Sequence, residues 1–222
     1  MRYVLSLIIF ALAAPITLAQ DPVSVDSNHY KVLLDNDQVR VLRIHYNPTE
    51  KSVMHEHPAS VVVFLNDNKA KFTLPDGTTV ANAGGKTGEA RFAEAGKHLP
   101  ENTGKNPVEA VLVELKGKPG TSSPLAMDAV KTDPGHHKVE VENDRVRVLR
   151  IKVKPGEKTK QHDHPNGVAI FLTDAQAKFT LPDGTTREGG GKRGDANWAP
   201  AEKHIVENAG DKALEVVLVE LK

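Results

Sequence analysis

His55-Glu56-His57-Pro58 occurs a second time, with one substitution, as His162-Asp163-His164-Pro165. Both stretches lie in a long internal repeat. The ten residues AKFTLPDGTT at 70–79 recur unchanged at 177–186, and the hexapeptide VLVELK ends both copies. An internal repeat of this length defines the structural unit of the chain. The sequence therefore predicts two copies of one domain, each with the same pair of histidines.

The two repeats run from about residue 26 to 116 and from about 133 to 222. Residues 117–132 between them are rich in Gly, Pro, Ser and Thr, which is typical of a linker. Residues 1–19 contain an early arginine, an apolar run and the small-residue sequence Thr17-Leu18-Ala19, a pattern typical of a cleavable signal peptide. The apolar run is shorter than the about 20 residues that span a bilayer. We therefore expect a periplasmic or secreted mature protein that is not attached to a membrane.

The composition excludes several classes of function. Lys plus Arg and Asp plus Glu number 29 each, so the chain lacks the basic excess of a nucleic-acid-binding protein. It contains no cysteine, which excludes disulfides, thiolate metal sites and cysteine nucleophiles. A metal site in this chain must therefore use histidines or carboxylates.

The hydrophobic pattern is that of β-strands. In Val39-Arg40-Val41-Leu42-Arg43-Ile44, which recurs at 146–151, alternate residues belong to opposite faces. Pro75-Asp76-Gly77 is a strong hairpin-turn signal. No stretch of the mature chain shows a sustained helical period. Many short strands with close turn signals predict an all-β sandwich or barrel.

Each repeat carries three histidines that suit a metal site. Histidines at positions i and i+2 of a strand point to the same face, and a third histidine follows about forty residues later, with an asparagine four residues beyond it. Imidazole ligands suit a divalent transition metal, namely iron, zinc, nickel, manganese or copper. The remaining four histidines show no repeated metal spacing. The predicted ligands are His55, His57 and His98 in the first repeat, and His162, His164 and His204 in the second.

The order of these motifs resembles the cupin superfamily. HxHP, a strand pair around a Pro-Asp-Gly turn, and a later H-x-x-x-N are similar to the first and second motifs of that family, and the resemblance covers nearly all of both repeats. It implies a bicupin, with two tandem double-stranded β-helix (jelly-roll) barrels that pack as a pseudo-twofold pair. It also implies a metal inside each barrel.

One departure from the family bears on the reaction. The first cupin motif usually carries a glutamate four or five residues after its second histidine, but Val61 and Val62 stand there in the first repeat, and Val168 and Ala169 in the second. The resemblance to oxalate decarboxylases and germin-like oxalate oxidases is therefore weaker. Thiol dioxygenase-like and diketone dioxygenase-like cupins resemble the three-histidine pattern better.

These observations predict an exported metal-dependent oxidoreductase of the dioxygenase type that acts on a small molecule. Two alternatives remain at this point: a non-catalytic periplasmic protein that binds metal or a small ligand, and a structural bicupin with vestigial sites. No residue is assigned as catalytic, no organic cofactor is expected, and a homodimer is left open. The repeated arginines Arg40, Arg43, Arg147 and Arg150 either bind an anion at the barrel mouth or pair with glutamates.

Overall fold

The computed structural model describes residues 20–117 and 125–222. The predicted signal peptide and residues 118–124 of the predicted linker lie outside this part. Within it, no helix has the length and apolar character needed to cross a membrane. The first repeat comprises α1 (Pro22–Val25), β1 (Tyr30–Asp35), β2 (Val39–Tyr46), β3 (His55–His57), β4 (Ser60–Phe64), β5 (Ala70–Thr73), β6 (Thr79–Val80), β7 (Ala90–Ala93), β8 (Gly96–Asn102) and β9 (Val108–Leu115). The second comprises α2 (Ala129–Thr132), β10 (His137–Glu142), β11 (Val146–Val153), β12 (His162–His164), β13 (Gly167–Phe171), β14 (Ala175–Thr180), β15 (Thr186–Gly191), β16 (Ala196–Ala199), β17 (Glu202–Asn208) and β18 (Leu214–Leu221).

Each repeat folds into a barrel of two antiparallel sheets. The first barrel combines a five-stranded sheet in the order β1-β2-β9-β4-β7 with a four-stranded sheet in the order β3-β8-β5-β6. The second barrel has the same order, β10-β11-β18-β13-β16 and β12-β17-β14-β15. The prediction of an all-β chain with two tandem jelly-roll barrels is confirmed.

The inner strands of the five-stranded sheets bury residues on both of their faces. On β2, Leu42 and Tyr46 point into the first barrel, while Val39 and Val41 belong to a core on the outer face of the sheet. This explains why β9 and β18 are almost continuously apolar. A strand covered on one side only alternates between apolar and polar residues.

The outer core joins the two barrels. Valines of β2, β4 and β9 pack there with valines of β11, β13 and β18 in one cluster. Reciprocal hydrogen bonds flank it: the Arg43 guanidinium donates to the carbonyl of Gly194 at 3.1 Å, and that of Arg150 donates to the carbonyl of Gly88. The barrels are therefore related by a pseudo-twofold axis. These two arginines pair with backbone carbonyls and with glutamates, which decides between the two roles left open for them.

A one-turn helix precedes each barrel. The carboxylate of Asp21 accepts a hydrogen bond from the backbone N–H of Ser24 at 3.1 Å, and that of Asp128 accepts from Lys131 N–H at the same distance. Such N-caps satisfy helix donors that otherwise lack a partner. Helix α2 lies within the predicted linker but packs against β10 and β12 of the second barrel. The structural unit thus begins at Asp21 and Asp128, before the predicted repeat starts.

Candidate metal centres

The three predicted histidines of the first barrel converge. Strand β3 presents His55 and His57 on one face, and His98 of β8 lies opposite His55 in the antiparallel register. One nitrogen of each ring lies within 4.8 Å of the others. His55 and His57 are buried. The geometry suits a divalent metal that binds three neutral imidazoles.

The histidines of the second barrel are arranged differently. His162 again lies opposite the third predicted ligand, His204. The group whose nitrogens lie within 4.8 Å of one another, however, is His137, His162 and His164. The His204 ring lies 5.0 and 5.7 Å from those of His162 and His164, between ring centres, and its Nδ1 is 2.9 Å from the carboxylate of Glu202. His204 therefore remains a prediction. His137, which was not predicted, belongs to the group instead.

Sequence reasoning missed His137 because its position is not histidine in both repeats. In β10, His137 pairs with Ile151 as Tyr30 of β1 pairs with Ile44. Tyr30 is thus its counterpart, and its hydroxyl lies 3.0 Å from His55 Nε2. His55 Nδ1 donates to the carbonyl of Val53 at 2.9 Å, so its Nε2 accepts the proton of Tyr30, whose hydroxyl in turn accepts from Tyr46 at 2.7 Å. The signal for His137 was a difference between the repeats at one aligned position.

Burial keeps the imidazoles neutral and ready to bind metal. Desolvation, followed by repulsion from neighbouring imidazoles, lowers the pKa of His55 to about 4 and that of His98 to about 3. In the second barrel, desolvation lowers the pKa of His137 to about 4 and that of His162 to about 3, and it also lowers the pKa of His204. Metal binding requires unprotonated imidazole, so these rings can bind a metal at neutral pH without first losing a proton.

These shifts predict how the metal-free protein responds to acid. Histidines of the unfolded chain take up protons near pH 6.5, whereas the buried ones stay neutral down to pH 4 or 3. Between these values the unfolded state binds more protons, so stability rises with pH and is lost as the pH falls. We expect the Tm of chelator-treated protein to drop steadily between pH 7 and pH 4.5. An H162Q variant should show a shallower drop, and an equal slope would contradict the assignment.

A buried ion pair orients one histidine of each centre. The Nδ1 of His57 donates to Oε1 of Glu114 at 2.7 Å, and Oε2 of Glu114 accepts from Nε of Arg40 at 2.5 Å. Arg40 also pairs with Asp21 at 2.5 Å. Burial would raise the pKa of Glu114, but the hydrogen bonds from His57 and Arg40 outweigh it and hold that pKa below its ordinary value. A carboxylate on Nδ1 leaves Nε2 free and makes the imidazole a better ligand.

The second barrel repeats this chain of contacts. His164 Nδ1 donates to Glu220 at 2.6 Å, Glu220 accepts from Arg147 at 2.5 Å, and Arg147 pairs with Asp128 at 2.6 Å. Of the two roles expected for Arg40 and Arg147, the structure shows pairing with carboxylates. The helix caps thus also support the metal ligands.

Glu56 and Asp163, the middle residues of the two HxHP motifs, point away from the metal centres, as expected from strand alternation. Glu56 lies 3.5 Å from Lys97, its cross-strand neighbour, and Asp163 lies 3.6 Å from Lys203. The repeated asparagines hold backbone. Asn102 donates to three carbonyls at 2.9–3.2 Å. Asn208 donates to two carbonyls, at 2.7 and 2.8 Å.

A cavity of about 400 Å³ opens beside the first centre. His57 and His98 form part of its wall, and most of the remaining wall is apolar. Its polar groups include the two tyrosines of the hydrogen-bonded chain on His55. Clefts of this size with few polar groups are typical of sites for small organic ligands. Apolar lining residues include Ile44, Val62, Phe64, Phe72, Val80 and Leu112.

At two positions beside the second centre, charged side chains stand where the first barrel has Gly96 and Val80. Gly96 pairs with His57, and a side chain there would meet only open space, whereas Glu202 pairs with His164 in the same register. Glu202 binds Arg187 at 2.7 Å, and Arg187 lies 4.2 Å above the ring of Phe179. The repeat places Arg187 at the position of Val80, a lining residue of the first cavity. An ion pair thus stands beside His204 at the place that is open in the first barrel.

Comparison with solved structures shows the same architecture over most of the chain. AerE from Microcystis aeruginosa superposes with a TM-score of 0.61 and 13% identity, covering 87% of this chain and 97% of AerE. Bacillus subtilis oxalate decarboxylase superposes with a TM-score of 0.59 and 13% identity over 87% of this chain and 75% of that one. A cupin 2 conserved barrel domain protein from Leptotrichia buccalis gives a TM-score of 0.52 and 12% identity, covering 87% and 88%. By fold, the chain is a bicupin. The sequence matches no protein-family model, and none of the curated proteins matches it.

The donor set of this bicupin fits a divalent metal. His137 Nε2 and His162 Nε2 are buried and find no hydrogen-bond partner in the part of the chain that the structure describes. Buried nitrogens of this kind require a partner, and a metal ion supplies one. Bacillus subtilis oxalate decarboxylase contains Mn(II) centres. Val62, which lies five residues after His57, lines the first cavity and offers no carboxylate there.

Proposed function

We propose that this bicupin is an exported, metal-dependent oxidoreductase of the dioxygenase type, and that the reaction takes place in the first barrel. The observation that carries this proposal is the apolar cavity of about 400 Å³ against His57 and His98. A ligand in that cavity would lie next to a metal held by the three neutral imidazoles. Three protein ligands leave open positions, which is the hallmark of a catalytic rather than a structural centre.

The residues of the first barrel suit a small, mainly apolar substrate with a pair of chelating oxygens, such as a 1,3-diketone. A divalent iron held by His55, His57 and His98 would supply open coordination positions and redox chemistry. The apolar wall binds the carbon skeleton and excludes water. Burial raises the pKa of Tyr30 and of Tyr46, so both hydroxyls keep their protons and act as hydrogen-bond donors beside the centre.

Oxygen uptake tests this function. In a dioxygenase reaction a carbon–carbon bond of the diketone breaks and both atoms of dioxygen enter the products, so no external reductant is needed. We expect iron-loaded protein to consume oxygen with acetylacetone or benzoylacetone. The H55A/H57A variant should lose this activity, while the matched H162A/H164A variant should keep it. If neither the wild-type protein nor the variants consumed oxygen, the proposal would be refuted. If only H162A/H164A lost the activity, the reaction would be assigned to the second barrel.

Export is proposed from residues 1–19, whose pattern is typical of a cleavable signal peptide. Mass spectrometry of the mature protein from a periplasmic extract should give a chain that begins at Gln20. A chain that retains Met1 would contradict export by this route.

The second candidate is a non-catalytic protein that binds metal or a small ligand. The second barrel favours it, because Glu202 and Arg187 occupy the place that is open in the first. In that case both barrels would bind metal, and no oxygen would be consumed with any of the diketones.

A further inference from the structure

We propose that His137 is a metal ligand in the second barrel, and that with His162, His164 and His204 it forms a four-imidazole site with no position left for substrate. The proposal concerns the second barrel and goes beyond the function proposed for the first. It assigns to the two barrels different tasks: the first reacts, and the second holds a metal that stabilises the fold.

The position of His137 supports this role. Its ring centre lies 4.5 Å from that of His162 and 5.5 Å from that of His164. In the first barrel, Tyr30 lies at 4.9 and 5.6 Å from His55 and His57, the corresponding rings. The two repeats thus place an aromatic ring at the same point against the histidine pair. A phenol stands there in one barrel and an imidazole in the other.

The hydrogen bonds decide which nitrogen of each ring faces the centre. His137 Nδ1 donates to the carbonyl of Asp133 at 3.0 Å, and His162 Nδ1 donates to the carbonyl of Lys160 at 2.7 Å. Each neutral ring therefore carries its proton on Nδ1 and presents an unprotonated Nε2. Both Nε2 atoms are buried and have no donor among the described residues. Two lone pairs side by side are unfavourable without a donor or cation, and one metal ion satisfies both.

In the first barrel, the corresponding Nε2 atom of His55 accepts a hydrogen bond from a hydroxyl group. There Tyr30 donates its hydroxyl proton to His55 Nε2 at 3.0 Å, a hydrogen bond that a metal on this nitrogen would replace. No hydroxyl is available at position 137, since the residue is histidine. The exchange of tyrosine for histidine therefore replaces a hydrogen-bond donor with a fourth nitrogen ligand.

Four imidazoles around one ion form a closed site. Structural zinc sites have four protein ligands in tetrahedral geometry, whereas catalytic sites keep one position for water or substrate. The ion pair of Arg187 with Glu202 stands beside His204 on the side where the first barrel has Val80 and Gly96. The second centre is thus both less accessible and more fully coordinated than the first.

Cobalt(II) titration of the full-length, metal-free protein tests this assignment. In the H55A/H57A background only the second barrel retains its ligands, and the visible absorption of Co(II) reports its geometry, because tetrahedral Co(II) absorbs more strongly than octahedral Co(II). We expect a strong, four-coordinate spectrum. Adding H137Y should weaken Co(II) binding by at least about tenfold and lower the absorption, since even residues that only support a ligand have effects of this size. The first barrel already holds tyrosine at this place, so H137Y is expected to fold, which the Tm of the metal-free protein checks.

The reciprocal variant is the matched control. In the H162A/H164A background, Y30H should raise the affinity of the first barrel for Co(II) and increase its absorption. Unchanged affinity and spectrum in H137Y would overturn the assignment of His137. Absence of Co(II) binding in H55A/H57A would overturn it as well. The oxygen-uptake test of the first barrel does not depend on either result. Failure of this inference is therefore distinguishable from failure of the proposed function.

Discussion

Replacement of Arg40 by methionine is expected to lower the free energy of unfolding by about 3–5 kcal/mol, the usual result of removing one partner of a buried ion pair. Glu114 is 1% exposed and loses its cation in this variant, keeping only the N–H of His57. The carboxyl group must then either remain charged in the barrel wall or take up a proton, and both cost free energy. Urea denaturation of metal-free protein measures the change. The equivalent R147M variant should behave alike, because Glu220 is equally buried.

An exposed pair provides the control for this experiment. Lys86 and Asp67 lie 3.1 Å apart, but their side chains are 79% and 57% exposed. Such pairs contribute at most about 1 kcal/mol, so K86M should be nearly neutral. If R40M were as mild as K86M, the chain from Arg40 through Glu114 to His57 would not contribute to stability.

Replacement of Glu114 by glutamine is expected to weaken metal binding in the first barrel by about 10–100-fold, the range for residues that orient a ligand. Glutamine can still accept the Nδ1 proton of His57, but it removes the negative charge that makes the imidazole more basic. The second barrel keeps Glu220 on His164 and should be unaffected. Competition for zinc against a chromophoric chelator would therefore show two unequal sites, one of them shifted.

Glu109 offers a matched control on the same strand. It pairs with Arg43 at 3.4 Å and contacts no histidine of the centre. The E109Q variant should therefore bind two metals as wild-type protein does, and E220Q should shift the second site instead of the first. Equal effects of E109Q and E114Q would mean that general charge, not contact with His57, sets the affinity.

The main outline of the molecule could be predicted because the two repeats of the chain can be compared with each other. Repetition of HxHP and of the later histidine predicted two barrels and placed His55, His57 and His98 together. Strand alternation predicted that Glu56 and Asp163 point away. Each of these inferences depends on local periodicity or on a match between the repeats, which sequence alone contains.

What could not be predicted depends on differences between the repeats or on contacts between distant strands. His137 was passed over because its counterpart is a tyrosine. The first cavity was not predicted because its lining comes from separate strands, among them β2, β5 and β9. The partners of Arg40 were left open because Glu114 lies 74 positions away in sequence. A charged residue repeated inside the apolar stretch VLVELK was the available signal, since a buried charge requires a partner.

The core shared by the two barrels has a consequence for the origin and assembly of the chain. Valines of both repeats contribute to one cluster, so a single repeat would expose an apolar face about as wide as its five-stranded sheet. An ancestral polypeptide of one repeat would therefore have existed as an obligate pair of identical subunits, stable only at sufficient concentration. Tandem duplication made that association intramolecular and independent of dilution. After duplication the two halves no longer had to be identical in sequence. Tyr30 and His137 could therefore differ at a position where identical subunits carry the same residue.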